Sequence, residues 1–190
     1  MARWDPGAED RLRKAALELF GEHGYDNVTV TQIAERAGLT RRSFFRYFPD
    51  KREVLFAGSE QLPIAVADAV RGAPESAAPL AAVLAGLGEV VALLVERVDG
   101  IAQRRAVIEA SAELQERERT KAAAVTDAIR AALVDRGVAG DEAKLLAEVA
   151  SVAFQNAFAR WVAGGGVEAF EGCLDQVAGS LRESFLGLSR

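Results

Sequence analysis

At 190 residues the chain is long enough for a full hydrophobic core, in one domain or in a small module joined to a larger one. A formal net charge of −5 argues against a protein that coats nucleic acid nonspecifically. One cysteine, Cys173, and one histidine, His23, exclude an intramolecular disulfide, a cysteine-based zinc site and a histidine-based metal cluster.

The N-terminal stretch lacks the apolar run of a signal peptide. Asp5-Pro6 supplies a helix start, with Asp as cap and Pro at the first helical position. Leu12, Ala16, Leu19 and Phe20 then mark one helical face, and Gly21 and Gly24 bracket its end. Thr29-Val-Thr-Gln32 is a capping box for a second helix, with Ile33, Ala34 and Ala37 on its buried side and Gly38 as its stop. Thr40 caps a third short helix that ends near Tyr47, ahead of Pro49. Asp50 to Glu53 opens a fourth helix, expected to run over about 50–71 with a kink at Pro63.

GAPESAAP, residues 72–79, is a connector. Leu80 to Val98 is apolar almost all round, as in a helix buried on most sides; Glu89 interrupts it, and its apolar run is too short to cross a membrane. Helices are expected over Ile101 to about Ala112, about Glu113 to Arg136, Asp141 to Ala163 and Val167 to Leu188. The Glu/Arg-rich run from Glu113 to Lys121 reads as a solvated helix face. No strand alternation, repeat or low-complexity tract appears. The expectation is an all-α protein of about nine helices, soluble and cytoplasmic, with no membrane partner.

Charge is unevenly placed. Residues 1–52 carry ten Lys/Arg against eight Asp/Glu, and the remainder thirteen against twenty. From Arg36 to Arg52 there are six cations (Arg36, Arg41, Arg42, Arg46, Lys51 and Arg52) and one acid, Asp50. A small basic face on an acidic body points to a local anionic partner. The second and third helices, joined by a turn containing Gly38, describe a helix-turn-helix. Phe44 and Phe48, four apart, face the core together, which leaves Arg41, Arg42 and Phe45 on the other side, where a recognition helix meets bases.

The segment AALELFGEHGYDNVTVTQIAERAGLTRRSFFRYFPDKREVL resembles the DNA-binding module of TetR-family transcriptional regulators, over roughly residues 9–56. The resemblance implies that Arg41 and Arg42 read base edges in the major groove, arginine suiting guanine O6 and N7. Thr31 matches another position that reaches a base. Thr29, Ser43, Tyr47 and Lys51 match positions that hold phosphates. Thr40, Phe45 and Arg46 complete the candidate DNA-contacting set. The family usually has Tyr where this chain has Phe45, so one phosphate-binding hydroxyl is missing, and often His where this chain has Tyr47.

The rest of the chain is similar to the family in its helical layout. That implies a DNA-binding domain over 1–52 and a ligand-binding and dimerisation domain over 53–190, helix four linking the two. Dimer contacts are expected from Ala153, Phe154, Ala157 and Phe158 on one helix and from Phe170, Leu174, Val177 and Leu181 on the last, whose apolar stripe also includes Val167, Phe185 and Leu188. Candidates for a ligand site are Arg105 and Glu109, beside Arg104, and Gln155, Asn156 and Trp161. Polar groups in apolar helices must find partners, either a ligand or internal hydrogen bonds. RRAVIEASAELQERE, IRAALVDRG and FARWV resemble a subgroup with acyl-CoA-like ligands.

No Gly-rich phosphate loop, nucleophile elbow or triad is present, so no enzyme and no cofactor is expected. The function implied is a homodimeric, sequence-specific regulator of double-stranded operator DNA, a repressor released by a small hydrophobic effector. A constitutive DNA-binding activator or scaffold without an effector remains the alternative.

Overall fold

The computed structural model describes residues 7–95, 100–166 and 169–188, with the side chains of 92–95 and 185–188 excepted. The helix start at Asp5-Pro6 and the stripe residues Val167, Phe185 and Leu188 therefore lie outside what is described. The described residues form ten α-helices: α1 Ala8–His23, α2 Val30–Arg36, α3 Arg41–Tyr47, α4 Glu53–Phe56, α5 Leu62–Gly72, α6 Pro79–Val95, α7 Ile101–Glu109, α8 Ala112–Asp135, α9 Gly140–Ala163 and α10 Phe170–Leu188. A 3-10 turn at Ser59–Gln61 precedes α5, and no strand occurs among the described residues. None of these helices is long and apolar enough to cross a membrane.

The count exceeds the expected nine because the fourth helix does not run from 50 to 71. It stops after Phe56: Ala57 turns to an extended ψ of 136° and Gly58 takes a φ of 76°, which disfavours side-chain-bearing residues. Pro63 does not kink a helix. It sits in the first turn of α5, where its missing N–H costs nothing and its fixed φ suits the helix.

The chain divides into two compact units. One contains the residues up to Ser59 together with Gly100–Arg119; the other contains Glu60–Asp99 and Thr120–Arg190. The first unit thus takes in α7 and the start of α8 as well as the helix-turn-helix. Its core follows the 3–4 spacing of α1, with Leu12, Ala16, Leu19 and Phe20 buried against Ile33, Ala34, Phe44, Phe48 and the three apolar residues of α4. Val107, Ile108 and Leu114 complete that core from α7 and α8. Phe44 is fully buried; burial of such a side chain contributes about 1.5–3 kcal/mol.

In the second unit, Val66 and Val70 of α5 pack with Val83 and Leu87 of α6, Ile129 and Leu133 of α8, and Ala143, Ala147 and Ala150 of α9. The alanines at steps of three and four let α9 approach its neighbours closely. Arg136 closes the end of α5, its guanidinium donating to the carbonyls of Val70, Ala73 and Pro74 at 3.2, 2.6 and 2.8 Å. These carbonyls lie where the helix can no longer satisfy them.

Candidate nucleic-acid interface

The capping residues read from the sequence hold the helix-turn-helix. Gln32 N–H donates to Thr29 Oγ1 at 3.3 Å, and Gln32 Oε1 accepts from Thr29 N–H at 2.8 Å, a reciprocal box that starts α2. At the other end, Gly38 N–H donates to Glu35 O at 3.0 Å and Leu39 N–H to Ala34 O at 2.8 Å, the double bond of a Schellman turn. That turn needs a left-handed residue, and Gly38 supplies it with φ 68°. Ser43 N–H donates to Thr40 Oγ1 at 3.1 Å and starts α3. Three short-range devices thus fix the angle between α2 and α3.

On α3, Phe44 and Phe48 turn inward, 5.5 Å apart between ring centres. Arg41, Arg42, Phe45 and Arg46 are exposed, as is Thr31 on α2. The ion pairs among the described residues consume other members of the basic run. Arg36 pairs with Glu22 and Glu18 of α1, and Arg52 with Asp50 and Glu113. The hydrogen bond from Arg36 holds the Glu22 carboxyl below the usual range. Arg41, Arg42 and Arg46 have no carboxylate partner among the described residues, so the positive edge narrows to α3. The partners of Arg41 and Arg46 are rings. The Arg41 guanidinium lies 5.5 Å from the Phe45 ring centre, and that of Arg46 lies 4.8 Å from the Tyr47 ring centre. Arg46 also donates to the Tyr47 hydroxyl at 2.9 Å.

The hydroxyls expected at phosphates are engaged locally. Thr29 Oγ1 donates to Gln32 Oε1 at 2.8 Å, and Ser43 Oγ lies 2.9 Å from Thr40 Oγ1. Lys51 has a role that its sequence position did not disclose. Its ammonium donates to the carbonyls of Tyr25 and Val28 at 2.8 and 3.1 Å and sits 4.1 Å from the Tyr25 ring centre. It ties the start of α4 to the loop between α1 and α2. The signal was there only as Tyr25, a buried aromatic within that loop.

Around α4 a set of charged side chains closes from α7 and α8. Asp50 Oδ1 accepts from the N–H groups of Arg52 and Glu53 at 2.8 and 3.1 Å and closes the turn that leads into α4; the helix itself starts at Glu53, with Arg52 in the cap position, so the expected reciprocal box does not form. Burial opposes ionisation of Asp50, but the Arg52 side chain and these two N–H groups outweigh it and hold the carboxyl below the usual range. Arg104 donates to the Leu55 carbonyl at 2.7 Å and lies over the Phe56 ring. Burial lowers its pKa, which Glu118 partly offsets. Arg117 donates to Glu53 at 2.7 Å, and Tyr25 donates to Glu113 at 3.3 Å. Burial first, then the Glu113 charge, pushes the Tyr25 hydroxyl up. The run Glu113–Lys121 is therefore not a plain solvated face. The side that carries Glu113 and Arg117 is the one that grips α4.

The ligand candidates fall into two groups. Arg105 and Glu109, in the first unit, pair with one another at 2.7 Å, one turn apart on α7. Gln155 and Asn156 are exposed on α9, Asn156 donating to the Val152 carbonyl at 2.9 Å. Trp161 is buried among aromatic rings, 5.8 Å from Phe158 and 6.3 Å from Phe170.

The residues assigned to dimer contact divide as well. Phe154, Phe158 and Phe170 form, with Trp161, one aromatic cluster between α9 and α10. Ala153, Ala157, Leu174 and Val177 are buried within the single chain. Much of that apolar surface packs α9 against α10 within the single chain. Among the described residues of α9 and α10, the large apolar side chains left exposed are Leu145, at 59%, and Val152, at 57%. They line a groove of about 470 Å³ together with Val149, Ala153, Val177, Leu181, Asn156 and Arg160.

Residues 12–57 match the family described as bacterial regulatory proteins, tetR family. The chain is 39% identical over 95 residues to the HTH-type transcriptional regulator TcmR of Streptomyces glaucescens, an alignment covering 48% of this chain and 42% of TcmR. The chain spans less than half the length of the curated relatives it matches first. Across nearly the whole chain the fold is similar to that of a SmeT–triclosan complex, with a TM-score of 0.65, 19% identity and coverage of 92% of this chain and 91% of that one. It is also similar to the regulator FadR from Bacillus subtilis in complex with stearoyl-CoA, with a TM-score of 0.60, 16% identity and coverage of 88% and 94%.

Proposed function

We propose that this chain, whose residues 12–57 match the tetR family of bacterial regulatory proteins, is a cytoplasmic, homodimeric, sequence-specific DNA-binding regulator, a repressor released from its operator by a small hydrophobic ligand. The observation that carries the DNA-binding part is the recognition helix. Its start is pinned by the Thr40 cap, its inner aromatics are buried, and Arg41, Arg42 and Arg46 stand exposed without carboxylate partners among the described residues. Such a rigid basic helix suits the major groove, with arginine forks for guanine and hydroxyls near the helix ends for phosphates. We assign DNA binding to the first unit, and dimerisation and ligand binding to the second.

The exposed apolar lining of the α9–α10 groove supports the dimer. Leu145 and Val152 are large side chains that a second copy would cover, and two-fold symmetry would match a palindromic operator. The ligand reading rests on the structural neighbours, one bound to triclosan and one to stearoyl-CoA. An apolar, acyl-bearing effector is the class we propose. It must bind the form that does not bind DNA more tightly; a factor of about 100 corresponds to about 2.7 kcal/mol of coupling.

Selection of bound duplexes from a random pool, followed by titration of acyl-CoA compounds with and without the selected operator, tests the reading. The expected results are a palindromic consensus and an operator that weakens ligand binding by the factor by which ligand weakens operator binding. Equal ligand affinity in both titrations leaves a constitutive DNA-binding protein.

A further inference from the structure

Phe45 is the large apolar residue left on the outward side of the recognition helix, 46% exposed between Arg41, Arg42 and Arg46. A phenyl ring carries no hydrogen-bonding group, so it cannot serve a phosphate. Its position is nevertheless well defined. On its inner side the ring meets Phe44 edge-on, with centres 5.5 Å apart and planes at 82°. Phe44 itself is fully buried, which anchors that contact to the core. On the other side the Arg41 guanidinium lies over the ring at 5.5 Å. The ring is therefore held from two directions with its remaining surface facing out.

We infer that Arg41 and Phe45 act as one reading unit, in which Phe45 recognises the C5 methyl of a thymine next to the guanine that Arg41 binds. This rests on the DNA-binding reading above. Arg41 and Phe45 are one turn apart, about 6 Å along the helix axis, while neighbouring bases of a strand stack about 3.4 Å apart. The side chains converge, however: the guanidinium lies 5.5 Å from the ring centre, less than the span of two base steps, so the two groups can meet neighbouring bases. The thymine methyl is the apolar group that a major groove offers, and apolar side chains are its recognised partners. With the guanidinium bound to guanine O6 and N7, a methyl on the adjacent base enters the angle between guanidinium and ring. Nearly half of the residue is water-exposed in the free protein and would be covered in the complex. No proton or bond changes; the gain is burial of one methyl group and one ring face.

The test uses the full-length protein and its selected operator. Each thymine is replaced in turn by deoxyuridine, which removes only the methyl, and each guanine by 7-deazaguanine, which removes only the N7 acceptor. The expected result is one thymine per half-site whose demethylation weakens binding about fourfold, the size expected for one buried methyl group. That thymine should neighbour a guanine sensitive to the loss of N7. In Phe45→Ala the ratio of thymine to uracil affinity should fall to about one at that position while the slope of affinity against salt stays unchanged. A second variant, Phe45→Leu, keeps part of the apolar contact and should retain an intermediate ratio. Full tolerance of uracil at every position, as contact with deoxyribose would give, overturns the inference. So does a sensitive thymine that is remote from a sensitive guanine, or one that keeps its full ratio in Phe45→Ala. Failure to select any preferred duplex would instead refute the DNA-binding reading itself.

Discussion

Arg117 Nε lies 2.7 Å from the Glu53 carboxylate, joining α8 to the four-residue α4 across 64 positions of sequence. Glu53 is only 12% exposed at its side chain, so the partner matters more than for a surface pair. Arg117→Met leaves that carboxylate underpaired, and a loss of about 1–2 kcal/mol is expected after allowance for the partly exposed arginine. Urea unfolding of Arg117→Met, Glu53→Gln and the double variant forms the check. Additive effects would mean that the two groups do not interact.

Lys51 should behave as a tie within the protein. Lys51→Met removes two charge-assisted bonds to the Tyr25 and Val28 carbonyls, each bond of that kind being worth about 1.5–3 kcal/mol at most. Amide exchange in the loop between α1 and α2 and in α4 should quicken, in the absence of any DNA. Unchanged protection there would return Lys51 to a purely phosphate-facing role.

Much of the helix-turn-helix could be read from the residues themselves, because its determinants are local. Thr29 with Gln32, Gly38, and Thr40 each act within four positions, and periodicity alone separates Phe44 from Phe45. What could not be read depends on distant partners. A Glu/Arg-rich helix has the same pattern whether its charges face water or another helix, so Glu113 and Arg117 looked solvated. An apolar stripe does not say whether it is covered by its own chain or by a second copy. Pro63 was ambiguous because the same residue kinks one helix or starts another, and Gly58 decided between them.

On the preferred operator, Arg41→Ala or Arg42→Ala should each cost about 1–3 kcal/mol and relax base preference at one position per half-site. Repeating the random-pool selection with each variant reads this directly. A consensus that stays unchanged in both variants would remove them from base reading.

For the dimer, Val152→Glu combined with Leu181→Glu places charges in the lining of the α9–α10 groove. Light scattering should report dimers for the unmodified protein and monomers for the variant, with helical circular dichroism retained because Val152 is exposed in the single chain. A monomeric unmodified protein at micromolar concentration would refute the interface.

Acid stability offers a separate check on the turn that Asp50 closes ahead of α4. The Asp50 carboxyl is held below its ordinary value of 3.8, so folding favours its charged form. Its contribution is present above that value and is lost as pH falls through the lower folded value. Asp50→Asn keeps the accepting oxygen but not the charge. Its urea midpoint should fall less steeply than that of the unmodified protein as pH drops below about 4. Parallel curves would show that the charge contributes nothing.

The share of the first core supplied by Val107, Ile108 and Leu114 bears on how this protein can be cut and recombined. A chimaera that borrows only residues 1–59 would import α1 to α4 without the side chains that close over them, leaving Phe20 and Phe56 against whatever the host provides. A transplant that carries its own lid must bring residues 100–119 as a second, discontinuous piece. New operator preferences are therefore better built by changing the outward residues of α3 in place than by exchanging N-terminal fragments between relatives.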